Sequence, residues 1–393
     1  MRRNLTVRVA GALMVAVAAL TPAAASADLE RAGVVDTARK SGPADRAETI
    51  VSAMSVQEQA ASVVMGHIPS TDAATLSTFM SAENLGGFIL MGSNVPGSEA
   101  ELLGVTAALT IDPELPPLIA IDQEGGDVSR IGWDDFPAAP TLKDSTPAAT
   151  SAAFAARASL VARGGANVNF GIVADTTADG SSFIFSRSLG ADPQSAADRV
   201  AAAVTAEEQF LASTLKHFPG HGAAPGDSHQ QIPSTAMTIE QWRAADALPF
   251  IAGIDAGASL LMFGHLAYTA VDPAPASLSA RWHEIAREEL GFDGVIITDD
   301  LGMLQSTGIP AYADPVANAV AALAAGTDLV LTIAHSTPET AAQLTAGIVA
   351  AVEAGALPVE RLQEAAERVL TLRLELAGAG SGWALCAECA PVS

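Results

Sequence analysis

Residues 294–300 read GVIITDD, a run of β-branched apolar residues that ends in two acidic residues. A strand that is apolar along its whole length is typical of a parallel sheet covered on both faces. Ala-rich helical stretches, such as residues 195–213 and 315–326, fill the gaps between runs of this kind and can cross back over the sheet. Six further runs follow the same plan: GGFILMG (86–92), PPLIAID (116–122), NVNFGIVAD (167–175), TLKHFP (214–219), LLMFGH (260–265) and TDLVLT (327–332).

Seven such units, spread evenly over residues 86–332, predict an α/β protein with a single (β/α)8 TIM-like barrel rather than an open doubly wound sheet. An eighth strand is poorly marked, and we expect it between residues 219 and 260. We place the barrel domain at residues 28–377 and a weakly ordered tail at residues 378–393. No strand leads into a Gly-rich dinucleotide or P-loop spacing, and we expect no cofactor.

The N-terminal segment has the pattern of a signal peptide, Met1–Ala27. Three Arg residues precede the apolar stretch GALMVAVAAL (11–20), and Ala25-Ser26-Ala27 supplies the small-residue cleavage pattern, so we expect cleavage after Ala27 and secretion. No later stretch is long and apolar enough to span a bilayer.

The net charge and the cysteine content limit which partners and metals the protein can bind. Removing Met1–Ala27 removes three Arg and no acid, which takes the formal charge from −24 to −27. Binding of nucleic acid would require a basic surface patch, so we expect no nucleic-acid partner. We expect the protein to be a monomer. Cys386 and Cys389 are the only cysteines, too few for a structural zinc site, and they form either a local disulfide or two free thiols.

Polar residues end five of the predicted strands. In β/α barrels the chemistry lies at the C-terminal ends of the strands, so these side chains would converge on one mouth. Taken singly, each is better explained by a helix cap or a loop hydrogen bond, but the coincidence over five strands favours a site. The residues are Asp122, Asp175, Lys216, His217, His265, Asp299 and Asp300.

The segment LKHFPGHGAAPGDSHQQIP (215–233) holds three of the seven His residues. Zinc binding is one interpretation, although Pro219 and the glycines forbid the helical spacing of many zinc ligands. The other is acid/base chemistry. Asp227 can accept from one ring nitrogen of His229, which leaves the other nitrogen free to carry a proton.

Two more segments carry candidate residues. In GFDGVIITDDLGM (291–303), Asp299 and Asp300 follow a strand; spacing cannot say which faces the mouth, and both could cap the next helix. In IDQEGGDVSRIG (121–132), the double Gly should bring Arg130 back towards Asp122. That pair could recognise sugar hydroxyls or be a structural ion pair.

These segments resemble glycoside hydrolase family 3, specifically its single-domain β-N-acetylglucosaminidases. The resemblance runs from about Met54 to Leu376. It rests on motifs in the family's order: DQEGG (122–126), RSLGADP (187–193), KHFPGHG (216–222) with DSH (227–229), PASLS (275–279) and GVIITDDLGM (294–303).

The resemblance implies a retaining hydrolysis of β-linked N-acetylglucosaminides through a covalent glycosyl-enzyme, with wall fragments or chitooligosaccharides as substrates. Asp299 matches the family's nucleophile, His229 its acid/base and Asp227 the partner of that histidine. The positions that match sugar-binding residues are Asp122, Arg130, Arg187, Lys216 and His217.

The chain departs from the family pattern at several positions. Asp127 stands where these enzymes usually carry Arg, and Ser186 stands where Asp is common. Ala223 and Ala224 replace the usual Asp-Thr after GHG. These departures put the aglycone preference and the mobility of the 219–230 loop in doubt.

Three rival functions remain. A family 3 β-glucosidase takes its acid/base from a second domain for which this chain has no room. An N-acetylglucosaminide phosphorylase would use the same residues with phosphate as acceptor. A non-catalytic wall-sugar binding protein would not need both Asp299 and His229.

Overall fold

Eight short parallel strands, each buried along its whole length, form the central sheet. The computed structural model describes residues 42–379, so the predictions for the signal peptide, for the tail beyond residue 379 and for Cys386 and Cys389 lie outside the described residues. The strands are β1 Val64–Gly66, β2 Gly87–Leu90, β3 Leu118–Ile121, β4 Val168–Val173, β5 Ala212–Phe218, β6 Leu260–Phe263, β7 Val295–Thr298 and β8 Val330–Leu331.

The strands pair in chain order, and β8 pairs with β1 through Val64 and Val330. A parallel bridge between Ile297 and Leu329 completes the ring. There the Thr298 N–H donates to the Leu329 carbonyl at 3.1 Å. The predicted (β/α)8 barrel is therefore confirmed.

The position predicted for the eighth strand was wrong. The strand is β1, which precedes all seven predicted runs, and it does not lie between residues 219 and 260. In that interval only Ser234–Thr235 is extended, and it pairs with Ala267–Tyr268 in a small ribbon separate from the barrel. Because β1 has three residues and directly follows a helix, neither its length nor a turn signal marks it in the sequence.

Helices connect the strands and cover the outside of the barrel. Within residues 42–379, none combines the length and apolar character that a membrane crossing requires. They are α1 Pro43–Ala53, α2 Val56–Ser62, α3 Ala73–Glu83, α4 Glu99–Leu109, α5 Ala139–Leu142, α6 Pro147–Arg163, α7 Pro193–Glu207, α8 Ile239–Ala244, α9 Ala247–Asp255, α10 Ala280–Glu284 (continued by a π-helical turn, Ile285–Glu289), α11 Leu301–Ser306, α12 Pro315–Ala325, α13 Thr340–Glu353 and α14 Val359–Ala379.

The barrel interior is filled by alternate strand residues such as Met65 and Phe170. Helix α14 adds Val369 and Leu372 to this cluster, so it covers one end of the barrel. Asp328, fully buried just before β8, anchors the same helix, pairing with Arg361 at 2.7 Å and Arg368 at 3.3 Å. The C-terminal helix and the closing strand are therefore held as one unit.

An aromatic cluster lies behind the ends of β5 and β6. Trp242 Nε1 donates to the Pro219 carbonyl at 2.7 Å, and the Tyr268 hydroxyl donates to the Gly220 carbonyl, also at 2.7 Å. Both side chains are buried, and each packs against Trp282. The aromatic cluster thereby fixes the first residues of the loop that carries Asp227 and His229.

Candidate active site

A cavity of about 310 Å³ opens at the C-terminal ends of the strands, and polar side chains from β3, β5 and β7 reach it. Seven of the eight predicted site residues line it, and Asp227 contacts one of them. The seven are Asp122, Arg130, Arg187, Lys216, His217, His229 and Asp299.

Charged groups of both signs interlock on one wall. Lys216 Nζ lies 3.0 Å from Asp122 Oδ1 and 2.7 Å from Glu124 Oε1. Arg187 binds Glu124 through two hydrogen bonds of 2.9 and 2.7 Å, and Arg130 lies 3.2 Å from Asp122. Three cations and two carboxylates leave one net positive charge and many polar atoms, a surface suited to sugar hydroxyls.

These ion pairs fix the protonation of the cluster. Burial alone would raise the pKa of Asp122, but Lys216 and Arg130 outweigh it and lower the pKa to about 2. Burial would likewise raise the pKa of Glu124, and Lys216 with Arg187 lowers it instead. Both carboxylates are therefore anionic in neutral solution. Glu124 was missed by sequence reasoning, although it stands inside the DQEGG motif.

The loop after β3 returns Arg130 to Asp122, as predicted. Gly125 and Gly126 both take positive φ, at 81° and 72°, which glycine adopts without strain. Gln123 spans the loop: its Oε1 accepts from the N–H groups of Arg130 and Ile131, both at 2.9 Å. A side chain that is itself fully buried therefore sets the path of the loop.

Asp175 fixes the position of His217, which lies near the end of β5. This buried carboxylate lies 2.7 Å from His217 Nδ1, and it also accepts from the backbone N–H groups of His217 and His221. Because an ionised Asp only accepts, Nδ1 of His217 carries the hydrogen and Nε2 is left to face the cavity.

The two acidic residues after β7 have different surroundings. Asp300 is buried, and its carboxylate accepts from the N–H groups of Gly302, Ile333 and Ala334 at 2.8–2.9 Å, capping α11. Both residues line the cavity, but within residues 42–379 the Asp299 carboxylate accepts only from the Asp300 N–H, at 2.8 Å. Spacing could not separate the two residues; the structure leaves Asp299 available for chemistry and assigns Asp300 to the helix cap.

The charge state of Asp299 suits a nucleophile. Burial would raise its pKa, but the neighbouring imidazoles of His217 and His265 outweigh burial and lower it. His265 has no nitrogen left for a substrate, since its ring bonds Ser277 Oγ at 2.7 Å and the Asp300 carbonyl at 2.8 Å. Asp175, His265 and Asp300 thus support the site from behind.

Asp227 and His229 form a pair in the loop after β5. Asp227 Oδ1 lies 2.6 Å from His229 Nδ1 and also accepts from the His229 N–H at 3.0 Å. The carboxylate accepts, so Nδ1 carries the hydrogen and Nε2 is free. Burial would raise the pKa of Asp227, and the hydrogen bonds from His229 lower it instead. The His229 side chain is 62% exposed, within reach of a group that enters the mouth.

His221 is a second residue that sequence reasoning did not place in the site. Its imidazole lines the cavity and is only 1% exposed, yet neither ring nitrogen has a hydrogen-bond partner among the residues that the structure describes. Burial lowers its pKa, so the ring is neutral near pH 7. The ring of Phe183 meets it edge-on, with centroids 4.8 Å apart.

Two of the departures noted in the sequence contact each other. Ser186 Oγ donates to Asp127 Oδ2 at 2.6 Å, so a hydroxyl–carboxylate bond joins positions where the family more often has an acid and an arginine.

Within residues 42–379, no three His, Cys, Asp or Glu side chains are placed together as metal ligands.

The N-terminal domain of glycosyl hydrolase family 3 matches residues 55–372, and the chain belongs to this family. A β-hexosaminidase of Xanthomonas oryzae pv. oryzae is 38% identical over 257 residues, which cover 62% of this chain and 75% of that protein. A β-hexosaminidase of Pseudomonas aeruginosa is 38% identical over 253 residues, covering 62% of this chain and 74% of the relative.

Solved structures agree with these relatives. A family 3 β-N-acetylglucosaminidase from Paenibacillus sp. superposes with a TM-score of 0.77 at 28% identity, over 86% of this chain and 66% of that longer chain. A β-N-acetylhexosaminidase from Beutenbergia cavernae gives 0.72 at 29% identity, over 81% and 98%. Family and relatives together make this protein a glycoside hydrolase, as predicted, and group it with the β-N-acetylhexosaminidases.

Proposed function

We propose that the protein is a secreted, retaining exo-β-N-acetylhexosaminidase that releases terminal N-acetylglucosamine from wall fragments or chitooligosaccharides. The observation that carries the proposal is the contrast at the end of β7. Asp299 presents an anionic carboxylate to the cavity, whereas Asp300 has its carboxylate bonded to three backbone N–H groups. The Asp299 carboxylate, with the Asp227–His229 pair at the rim of the cavity, supplies a nucleophile and a proton donor.

In the first step an Asp299 oxygen attacks the anomeric carbon as the bond to the leaving group breaks. His229, protonated at Nε2, gives that proton to the departing oxygen, and Asp227 stabilises the imidazolium through Nδ1–H. The product is a covalent glycosyl–Asp299 ester and a free alcohol.

In the second step His229 takes a proton from water, and the water oxygen attacks the anomeric carbon from the face that the leaving group vacated. The ester bond breaks, Asp299 leaves as a carboxylate, and the sugar keeps its β configuration. Since a protein carboxylate does this work, the 2-acetamido group of the substrate serves for binding alone.

Binding of the terminal sugar falls to the interlocked cluster of Asp122, Arg130, Arg187 and Lys216, together with His217. Each cation of the cluster contacts Asp122 or Glu124, so an uncharged sugar meets interlocked charges with one net positive charge rather than isolated ions.

Trapping tests the nucleophile. A 2-acetamido-2-deoxy-5-fluoro glycoside with a good leaving group should form a stable ester with the enzyme. Peptide mass mapping should then find the label on Asp299. Label on Asp300 would overturn the assignment. Proton NMR of the first product formed should show the β anomer, and an α product would contradict retention.

The acceptor is tested by product analysis in phosphate buffer. Free N-acetylglucosamine in the presence of phosphate is the outcome expected of a hydrolase. Predominant N-acetylglucosamine-1-phosphate would instead identify a phosphorylase that uses the same residues, because phosphate would then have captured the glycosyl ester in place of water.

A further inference from the structure

A second cavity, of about 480 Å³, lies beside the one that holds Asp299. Its walls come from two loops, one after β4 and one after β5. The loops pack closely: a Cβ on Gly222 would lie 1.8 Å from the Thr176 carbonyl oxygen. The loop after β4 contributes Thr177, Asp179, Ser181, Ser182 and Phe183, and the loop after β5 contributes residues 222–227.

The two cavities adjoin at Phe183, which lines both. The catalytic pair spans the same boundary, since His229 lines the first cavity and Asp227 lines the second. The oxygen that His229 protonates is the atom that joins the terminal sugar to the rest of the substrate. The remainder of the substrate therefore begins at this boundary.

The chemistry of the boundary suits a sugar. Phe183 offers an aromatic ring against which the C–H face of a pyranose can pack. Beside it, His221 has two buried ring nitrogens without partners in the described part of the chain. A neutral imidazole can both donate to and accept from a hydroxyl, and a buried polar group that stays unpaired is costly.

The charged side chains that line the second cavity are both acidic. Asp179 accepts from the Ser181 hydroxyl and N–H at 2.7 and 2.9 Å, and these bonds lower its pKa, so it is an anion at neutral pH. Asp227 is the other carboxylate in the lining, which includes no Lys or Arg among the described residues. Of the nearby cations, Lys143 donates to the Phe185 carbonyl, and Arg187 is held by Glu124.

We propose that the second cavity is an aglycone subsite that binds a neutral, β-linked N-acetylated sugar and disfavours a sugar that carries a carboxylate. The proposal rests on the proposed function and adds a choice between its two substrate classes. Chitooligosaccharides have an uncharged sugar at this position, whereas a wall fragment without its peptide presents the lactyl carboxylate of N-acetylmuramic acid.

Three disaccharides test it with the purified full-length enzyme. They are N-acetylglucosamine β-1,4-linked to N-acetylglucosamine, to N-acetylmuramic acid, and to the methyl ester of that acid. We expect kcat/KM to fall by roughly fivefold or more for the acid, as partly screened charge contacts would give, and to recover for the ester.

Asp179→Asn keeps a side-chain oxygen that can accept the hydrogen bonds of the turn and removes the negative charge. It should reduce the ratio of kcat/KM for the ester to kcat/KM for the acid. Asp112→Asn is the matched control. Asp112 also accepts from a backbone N–H two residues on, that of Glu114 at 2.9 Å, but it lies in the loop before β3, at the opposite end of the barrel. The control should leave the ratio at its wild-type value.

An acid cleaved as fast as its ester, or a ratio that Asp179→Asn does not move, would overturn the aglycone subsite. An aryl N-acetylglucosaminide reports on the proposed function separately, because it lacks the second sugar. Wild-type enzyme inactive on that compound would count against the hydrolase itself, whatever the disaccharides show.

Discussion

Asp299 and Asp300 are chemically identical neighbours that the fold places in opposite roles. One turns its carboxylate to the cavity, and the other satisfies three backbone N–H groups at the start of α11. Burial raises the pKa of Asp300 to about 6, against the lowering effect of those N–H donors. Substitutions at the two positions should therefore fail in different ways.

Asp299→Asn should lose several orders of magnitude in kcat and keep its melting temperature, because the nucleophile is lost and the packing is not. Asp300→Asn should lose roughly 1–3 kcal/mol of stability, since its NH₂ group would face a backbone donor. Thermal melts and kinetics on an aryl glycoside measure both effects. The reverse pattern would exchange the roles of the two residues.

His229→Ala should reveal general acid catalysis through its dependence on the leaving group. We expect roughly 10²- to 10⁴-fold lower kcat/KM for a disaccharide, whose leaving oxygen needs a proton. A dinitrophenyl glycoside, whose leaving group needs none, should fall far less in this step. Asp227→Asn should act in the same sense but more mildly. An equal loss on both substrates would show that His229 has another role.

The sequence predicted most of the residues that line the candidate site, but it did not predict how they contact one another. The pair Asp227–His229 was readable because two residues so close along a loop can meet without long-range information. Glu124 and His221 were missed because their roles come from residues distant in the chain: Glu124 is defined by Arg187 and Lys216, and His221 by Phe183. In the sequence, only the motifs DQEGG and GHG pointed to Glu124 and His221.

Among the elements, the loop after β3 is held by one side chain. Gln123 accepts from the N–H groups of Arg130 and Ile131, and its Nε2 donates to Ser129 Oγ and Asp134 Oδ2, both at 2.6 Å. Asp134 in turn pairs with Arg157, with both side chains fully buried. Gln123 does not line the cavity, so it positions the Asp122–Arg130 pair without touching the substrate.

Gln123→Ala should raise KM roughly tenfold with a smaller fall in kcat, because the loop can no longer hold Arg130 against Asp122. Asn167→Ala is a control of similar kind, since Asn167 bonds the Ile119 N–H and the Pro117 carbonyl at the other end of the barrel. Both variants should lose stability, but only Gln123→Ala should change KM. Equal KM values in the two variants would make Gln123 purely structural.

The strands were predictable where an apolar run stands out from the loops around it. β4 and β5 have six and seven residues, and their apolar runs stand out against the loops around them. β8 has only two residues but lies inside the run TDLVLT (327–332), which was predicted, whereas β1, with three residues directly after a helix, was missed and depends on its pairing with β8. A strand fixed by its neighbours rather than by its own sequence leaves little periodic signal.

For the molecule as a whole, Glu207 makes stability depend on pH. This carboxyl at the end of α7 is fully buried, and Oε1 accepts from Asn169 Nδ2 at 2.7 Å. Burial raises its pKa from 4.5 to about 8. Between those values the folded state keeps a proton that the unfolded state has released, so this group lowers the free energy of unfolding as pH rises from about 4.5 to about 8.

Glu207→Gln should remove that loss, and near pH 8 it should gain a few kcal/mol over wild type, since one pKa unit corresponds to about 1.4 kcal/mol. At pH 4 the two proteins should be nearly equal. Denaturant titrations across this range test it, with the exposed Glu114→Gln as control. Stability curves that run parallel for Glu207→Gln and wild type would contradict the prediction.

The pairing of Val64 with Val330 has a consequence for how the chain folds. A barrel has no sheet edge only once its last strand has joined its first, and here those partners come from nearly opposite ends of the described chain. Such contacts of high sequence separation form slowly. Until β8 arrives, β1 and β7 both present unpaired edges that can join the edges of other chains. We therefore expect ring closure to be a late step, and a nascent chain stopped before Val330 to aggregate rather than settle as a smaller barrel.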